Sequence, residues 1–299
     1  MCLGTNVFGS TLDEAGSFAV LDAYAAAGGN FLDTADVYGR RGAGGSGGSE
    51  RIIGSWIAAR GNREKLVIAT KVGLSSDLHG LSEATIRRGI EGSLGRLGVD
   101  VVDLYYAHRD DPDTPLEETL GTFQALISEG KIRHAAASNY GAARLEEALR
   151  IGAQSEDMAS YVALQPHYNL MERGDYEGEL ETVCQRHGLA CLPYFGLAQG
   201  FLTGKYRPGG EQVDSPRADG VRERYFNERG FAVLEALDEV AAAHDTTVAA
   251  SALAWLRAQP TVLAPIASAT SPAQLAQLLA SAQLELSERE IERLNLASA

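Results

Sequence analysis

Four polar side chains stand at the ends of apolar runs or inside them. Asp33 lies within Asn30-Phe31-Leu32-Asp33-Thr34-Ala35, and Tyr38 follows just beyond. Lys71 closes Val67-Ile68-Ala69-Thr70-Lys71, and His108 closes Leu104-Tyr105-Tyr106-Ala107-His108. An aspartate beside a lysine holds the lysine charged. A charged lysine beside a tyrosine favours tyrosinate and lowers a pKa that starts at about 10. A tyrosine tuned in this way passes a proton to a carbonyl oxygen as hydride reaches the carbon. A neutral histidine donates a hydrogen bond to that same oxygen. Singly, each residue has an ordinary use: a loop cap, a solvated lysine, a packed ring. All four at the ends of neighbouring apolar runs predict an active site.

The elements that must position them alternate along the whole chain. Strands are expected in a first run closing at Val7-Phe8 and then over 30–36, 66–72, 101–108, 132–139, 162–168, 189–195 and 262–266. Helices are expected over 17–28, 49–60, 82–97, 115–129, 144–149, 176–187, 230–243, 248–259, 271–280 and 287–296. Ile86, Ile90, Leu94 and Leu97 show the reasoning, since their spacing lays one apolar stripe along a helix. Strand-then-helix alternation means a parallel sheet. Eight such units in a chain of 299 residues predict a single-domain α/β (β/α)₈ TIM barrel over 1–299. A doubly wound sheet is the alternative. The two low-complexity stretches, 39–48 and 205–227, both follow strands and so fall on the barrel face where active sites sit.

Composition narrows the function classes. The chain is 45% hydrophobic and 22% charged, with a net charge of −14. That balance argues against a nucleic-acid partner, which needs a basic face. No apolar run approaches the roughly 20 residues of a membrane helix, and no membrane partner is expected. The start, Met1-Cys2-Leu3-Gly4, does not read as a signal peptide. Cys2, Cys184 and Cys191 have no metal-ligand spacing; they read as buried thiols in a reducing cytoplasm, and no metal is expected. Oligomeric state and physiological substrate are not legible.

Gly42-Ala43-Gly44-Gly45-Ser46-Gly47 matches the G-x-G-x-x-G dinucleotide fingerprint. The fingerprint needs its tight turn at the strand end, and here Val37 to Arg41 intervene. The next strand also ends in Lys71 rather than an acidic residue. The stretch therefore reads as a glycine-rich loop.

The motifs resemble those of the aldo-keto reductases, in particular the bacterial-type NADP(H)-dependent oxidoreductases. Asn30-Phe31-Leu32-Asp33-Thr34-Ala35-Asp36-Val37-Tyr38-Gly39 is similar to the family's Asp-and-Tyr signature, Ala69-Thr70-Lys71 to its lysine motif and Leu104-Tyr105-Tyr106-Ala107-His108-Arg109 to its histidine strand. Ser138-Asn139, Leu164-Gln165-Pro166-His167-Tyr168-Asn169 and Leu202-Thr203-Gly204-Lys205-Tyr206 resemble later signatures in the same order. The resemblance implies a barrel that reduces an aldehyde or ketone with a nicotinamide cofactor, NADP(H) preferred; Ser268 and Gln274 stand uncharged where NADPH-selective relatives grip the 2′-phosphate with a lysine and an arginine, so a modest preference with NAD(H) also accepted is expected. It implies Tyr38 as acid, Lys71 and Asp33 as its tuning pair and His108 orienting the carbonyl. Ser138, Asn139 and Gln165 would hold the carboxamide, Tyr194 would stack on the ring, and Lys205 would meet the pyrophosphate. Ser268, Thr270, Gln274 and Gln277 occupy the adenosine-phosphate region. Two departures stand out: the chain starts directly in its first strand, without the family's opening hairpin, and Leu278 stands where a polar partner for adenine is usual. A cofactor-binding regulatory subunit with little turnover is the alternative function, and a Rossmann dehydrogenase is the reading that rests on Gly42–Gly47 alone.

Overall fold

A computed structural model describes residues 1–39, 45–210, 213 and 217–299. Eight parallel strands form one sheet: β1 (Cys2–Gly4), β2 (Phe31–Asp33), β3 (Val67–Val72), β4 (Val102–Ala107), β5 (Ile132–Ser138), β6 (Tyr161–Gln165), β7 (Ala190–Cys191) and β8 (Ile266–Ala267). They neighbour one another in chain order, and β8 returns to β1 through Cys2↔Ile266 and Leu3↔Ala267. The ring closes on its other side as well. Cys191 bridges Val262, the Leu263 amide donates to the Cys191 carbonyl at 2.9 Å, and the Ile266 amide donates to the Pro193 carbonyl at 2.9 Å. The doubly wound alternative is thereby excluded, since an open sheet has two edges.

The helices are α1 (Glu14–Ala26), α2 (Gly48–Arg60), α3 (Glu83–Leu97), α4 (Leu116–Ser128), α5 (Ala142–Gly152), α6 (Glu179–His187), α7 (Ala218–Tyr225), α8 (Glu228–Ala243), α9 (Val248–Arg257), α10 (Pro272–Leu279) and α11 (Glu288–Ala297). Local chemistry sets their ends. Ser82 caps α3 by accepting from the Thr85 amide, and Gly98 stops it in the left-handed conformation, φ 63°. The predicted stripe Ile86, Ile90, Leu94 and Leu97 is the face that α3 buries.

Side-chain alternation splits each strand between two cores. Leu32, Ile68, Tyr105, Ala135, Ala137 and Leu164 face the helices. Cys2, Ala69, Leu104, Tyr106, Ala136, Ala163, Leu192 and Ile266 fill the barrel itself. Stepping two residues along the inward register from Ala69, Tyr106, Ala136 and Ala163 reaches Lys71, His108, Ser138 and Gln165. The barrel's period of two thus brings these four to one mouth.

Several expected elements are shorter than the sequence suggests. The strand expected over 162–168 stops at Gln165, because Pro166 has no amide to continue the ladder. The one expected over 189–195 is regular only over Ala190–Cys191, ahead of Pro193 and of Phe195 at φ 54°. The helix expected from 176 begins at Glu179, after Gly178 at φ 100°. Helix α7 lies inside a stretch read as irregular; it buries only Ala218, Val221 and Tyr225, too short a stripe to show against its arginines.

Gly39 and Gly48 close the base of the glycine-rich loop. A Cβ on Gly39 would lie 2.8 Å from the Gly48 Cα and 2.9 Å from the Ser49 nitrogen, and Gly39 has φ +83°. Two backbones touching there account for glycine at both positions. Gly47, at φ +75°, lies against the Arg96 side chain. Gly42, Ala43 and Gly44 of the fingerprint match lie outside the described residues.

Candidate active site

Lys71 is the hub of the mouth. Its Nζ donates to Asp33 Oδ2 at 2.7 Å, to the Thr34 carbonyl at 2.8 Å and to Tyr38 Oη at 3.2 Å. Those three acceptors come from the end of β2 and the turn after it, where the Tyr38 amide donates to the Ala35 carbonyl at 3.1 Å. Lys71 is fully buried and Asp33 is 3% exposed. The His108 ring meets the Tyr38 ring edge-on, with centroids 6.2 Å apart. All four residues expected to carry chemistry are therefore side by side.

Charge in this pocket follows burial as much as pairing. Burial opposes the Lys71 ammonium, but Asp33 and Tyr38 outweigh it and hold the lysine above its ordinary range. Burial, then Lys71 and Arg109, push His108 well below its ordinary value, so the ring is neutral. Tyr38 differs from the sequence expectation. Desolvation of its hydroxyl raises it, and Lys71 offsets only part of the rise. The residue is therefore a phenol, not a tyrosinate, and a phenol is the form that gives a proton.

The expected amide-binding residues extend the same network. Gln165 Nε2 donates to Asp33 Oδ1 at 2.8 Å. Ser138 Oγ donates to the Gln165 carbonyl at 2.9 Å and accepts from Asn139 Nδ2 at 3.1 Å. Asn139 sits at φ 55°, and its Nδ2 also donates to the His108 carbonyl at 2.9 Å. Tyr194 Oη donates to Asn139 Oδ1 at 2.8 Å. Tyr38, Lys71, Asp33, Gln165, Ser138, Asn139 and Tyr194 thus form one continuous chain of hydrogen bonds.

Five of the expected cofactor-binding residues lie outside that chain. Ser268 Oγ donates to Asn6 Oδ1 at 2.7 Å, where β8 closes on β1. Gln274 Oε1 accepts from the Thr270 amide at 2.9 Å and from Thr270 Oγ1 at 2.8 Å, ahead of the α10 start that Ser271 caps. Gln277 is exposed, and Leu278 beside it is packed in the core at 5% exposure. Lys205 follows the turn at Gly204; partial desolvation and Arg217 lower its proton affinity.

Two neighbours of the site were not singled out from sequence. His167 stacks on Tyr194, centroids 5.3 Å apart and planes 11° apart, with its Nδ1 3.2 Å from Asp175 Oδ2. Asp36 is 3% exposed, and neither of its carboxyl oxygens has a hydrogen-bond partner among the described residues. A buried aspartate between Asp33 and Tyr38 was visible in the sequence only as one letter of a motif.

The donor set suits a nicotinamide dinucleotide. Amide and hydroxyl groups on Ser138, Asn139 and Gln165 match a carboxamide, the Tyr194 ring supplies an aromatic face, and the His108 ring carries a buried Nδ1 with no partner among the described residues. No group of three or more potential metal ligands occurs among the described residues.

The sequence profile of the Aldo/keto reductase family matches residues 1–298. The chain belongs to that family. It is 32% identical to an uncharacterized oxidoreductase, YrpG, of Bacillus subtilis, over 99% of this chain and 90% of that one. It is 32% identical to a probable voltage-gated potassium channel subunit beta of Oryza sativa, over 90% and 83% of the two chains. It is also 28% identical to the aldo-keto reductase yakc [NADP(+)] of Schizosaccharomyces pombe, over 99% and 86%. An aldo-keto reductase is an oxidoreductase of the carbonyl group that works with a nicotinamide cofactor in a (β/α)₈ barrel. The bare Rossmann reading of the glycine-rich loop is set aside with the open sheet it requires.

Proposed function

We propose that residues 1–299 act as one barrel that reduces aldehydes or ketones to alcohols, with Tyr38 as general acid. The observation that carries this reading is the buried Lys71 ammonium, bonded at once to Asp33 and to Tyr38 Oη at the mouth. The cofactor supplies hydride to the carbonyl carbon when bound. Tyr38 gives its proton to the carbonyl oxygen as negative charge develops there. Lys71 stabilises the phenolate left behind, and Asp33 keeps Lys71 charged and in place. Solvent then returns a proton to Tyr38. His108, neutral, donates a hydrogen bond to the same carbonyl oxygen and fixes its direction.

Ser138, Asn139 and Gln165 hold the carboxamide, and Tyr194 stacks on the ring with His167 behind it. Lys205 neutralises the pyrophosphate, while Ser268, Thr270, Gln274 and Gln277 line the adenosine-phosphate end. NADPH is the preferred cofactor and NADH is accepted. The yakc relative, named for NADP(+), supports the first part. The second rests on Ser268 and Gln274, which carry no charge and are bonded to Asn6 and Thr270. The three free, buried thiols suit a cytoplasmic setting.

Steady-state assays that follow cofactor absorbance with a panel of aldehydes and ketones test this function. Turnover with loss of NADPH is the expected result. Tight cofactor binding with no turnover on any carbonyl would favour the regulatory-subunit reading, which the similarity to the channel subunit keeps as the alternative.

A further inference from the structure

We propose that His167 is a positioning residue for the cofactor: its ring backs Tyr194 on the barrel-wall side and fixes the plane against which the nicotinamide lies. This inference rests on Tyr194 being the ring that stacks on the cofactor.

The placement follows from strand alternation. Gln165 ends β6 and points into the mouth, and His167 lies two residues on. Leu192 fills the barrel just after β7, and Tyr194 lies two residues on. The backbones pair there: His167 and Tyr194 form an isolated parallel bridge, and the Tyr194 amide donates to the Pro166 carbonyl at 3.0 Å. Both rings therefore rise on the inner side of the sheet, one layer above Gln165.

The Tyr194 hydroxyl decides which face is covered. It donates to Asn139 Oδ1 at 2.8 Å, and Asn139 directly follows β5. The ring thus runs from the end of β7 to the end of β5. In a closed barrel, a line between those ends passes inside the strand that separates them, which is β6. His167 rises from just beyond β6, so it meets Tyr194 from the wall, with centroids 5.3 Å apart and planes 11° apart. Phe195 stands steeply to both rings, 5.7 Å from His167 and 5.1 Å from Tyr194. A ring about equally far from two parallel rings lies beside the stack, not upon it. The remaining face of Tyr194 looks toward the axis, where Lys71, Tyr38 and His108 meet.

His167 is itself clamped. Its Nδ1 lies 3.2 Å from Asp175 Oδ2, and a carboxylate only accepts, so Nδ1 carries the proton. Its buried Nε2 has no hydrogen-bond partner among the described residues. Burial holds the imidazole below its ordinary proton affinity, against the smaller pull of Glu172 and Asp175, so the ring is neutral at pH 7. What it presents to Tyr194 is a flat, oriented face rather than a charge or a hydrogen bond. Phe195 is held in turn by Asn169, whose Nδ2 donates to its carbonyl at 3.0 Å. A tyrosine backed and edged in this way has little freedom to tilt, so its ordering is completed on folding and not on binding.

The test is the dissociation constant of NADPH, from fluorescence titration, in the parent, His167→Ala, His167→Phe, Tyr194→Ala and the double variant of His167→Ala with Tyr194→Ala. His167→Ala should weaken NADPH roughly three- to tenfold, the worth of one aromatic pair. The KM for NADPH should rise more than kcat falls. His167→Phe restores a flat face and should bind NADPH close to the parent. In the Tyr194→Ala background, His167→Ala should have no further effect, because its route to the cofactor is gone. Parent affinity in His167→Ala, no rescue by His167→Phe, or an equal loss with and without the Tyr194 ring would each overturn the proposal. Parent affinity in Tyr194→Ala would instead strike the stacking reading beneath it. Should His167→Ala not fold, His167→Leu fills the space without a flat face and should show the same loss; parent affinity in that variant would overturn the proposal.

Discussion

Lys71 and Asp33 form an ion pair of 2.7 Å with side chains 0% and 4% exposed. Two charges withdrawn from water this completely are stable only together. Removing one leaves the other buried and uncompensated, at a cost of about 3–5 kcal/mol. Lys71→Met should therefore lose stability of that order, and activity with it. The double variant Asp33→Asn with Lys71→Met should recover part of the stability and none of the activity. Urea melts beside turnover assays check both. A Lys71→Met protein as stable as the parent would show that the pair is not held as described.

Tyr38→Phe keeps the ring that meets His108 and removes only the hydroxyl. General acid catalysis contributes about 10²–10⁴-fold, and kcat should fall by that amount. Cofactor binding, measured by fluorescence titration, should stay near the parent's. Retained turnover would remove Tyr38 from the chemistry.

Gln274→Arg should strengthen selection for NADPH. In the parent, the Gln274 oxygen is occupied by Thr270, so the residue offers the cofactor little. A guanidinium forms charge-assisted bonds to phosphate, roughly twice as strong as neutral ones. The ratio of kcat/KM for NADPH over NADH should rise roughly tenfold, about 1.4 kcal/mol. A parent that already rejects NADH strongly would locate the phosphate-binding charge elsewhere.

Asp36 gives stability an unusual slope with pH. Its folded pKa of about 7 lies above the ordinary 3.8, so the folded state binds more protons than the unfolded state between those values. Stability from this group is therefore present at low pH and is lost as pH rises from about 4 through about 7. The upper bound on the loss is roughly 4 kcal/mol. His108 works in the opposite sense. Its folded pKa is depressed, so its contribution is lost as pH falls below the ordinary 6.5. The difference between parent and Asp36→Asn isolates the aspartate. Asp36→Asn should gain relative stability as pH rises across that window, read from thermal melts. A pH-independent difference would show that Asp36 ionises normally.

Gly39→Ala should destabilise the protein and lower kcat, because a Cβ there meets Gly48 and Ser49 one residue after Tyr38. Gly45→Ala places its Cβ in open space and should bear only the strain of φ +64°, of order 1–3 kcal/mol. Equal melting temperatures for the two variants would contradict the contact at the loop base.

Much of this protein was legible in its residue order. Apolar runs broken by helical stripes predicted eight strand-helix units, because burial on a barrel wall and on a helix face leave different periods in sequence. Asp33, Lys71 and His108 were conspicuous for the same reason, as polar groups on otherwise apolar strands. Tertiary structure decided what depended on partners far along the chain. Gln165 and Asp33 are 132 positions apart, and their 2.8 Å bond exists only because the barrel closes with this stagger. Strand ends were misjudged where Pro166 and Pro193 interrupt the ladder, since an apolar run does not show which amides find acceptors. The protonation of Tyr38 and Asp36 was also out of reach. Desolvation depends on every atom packed around a group, and sequence order does not contain that sum.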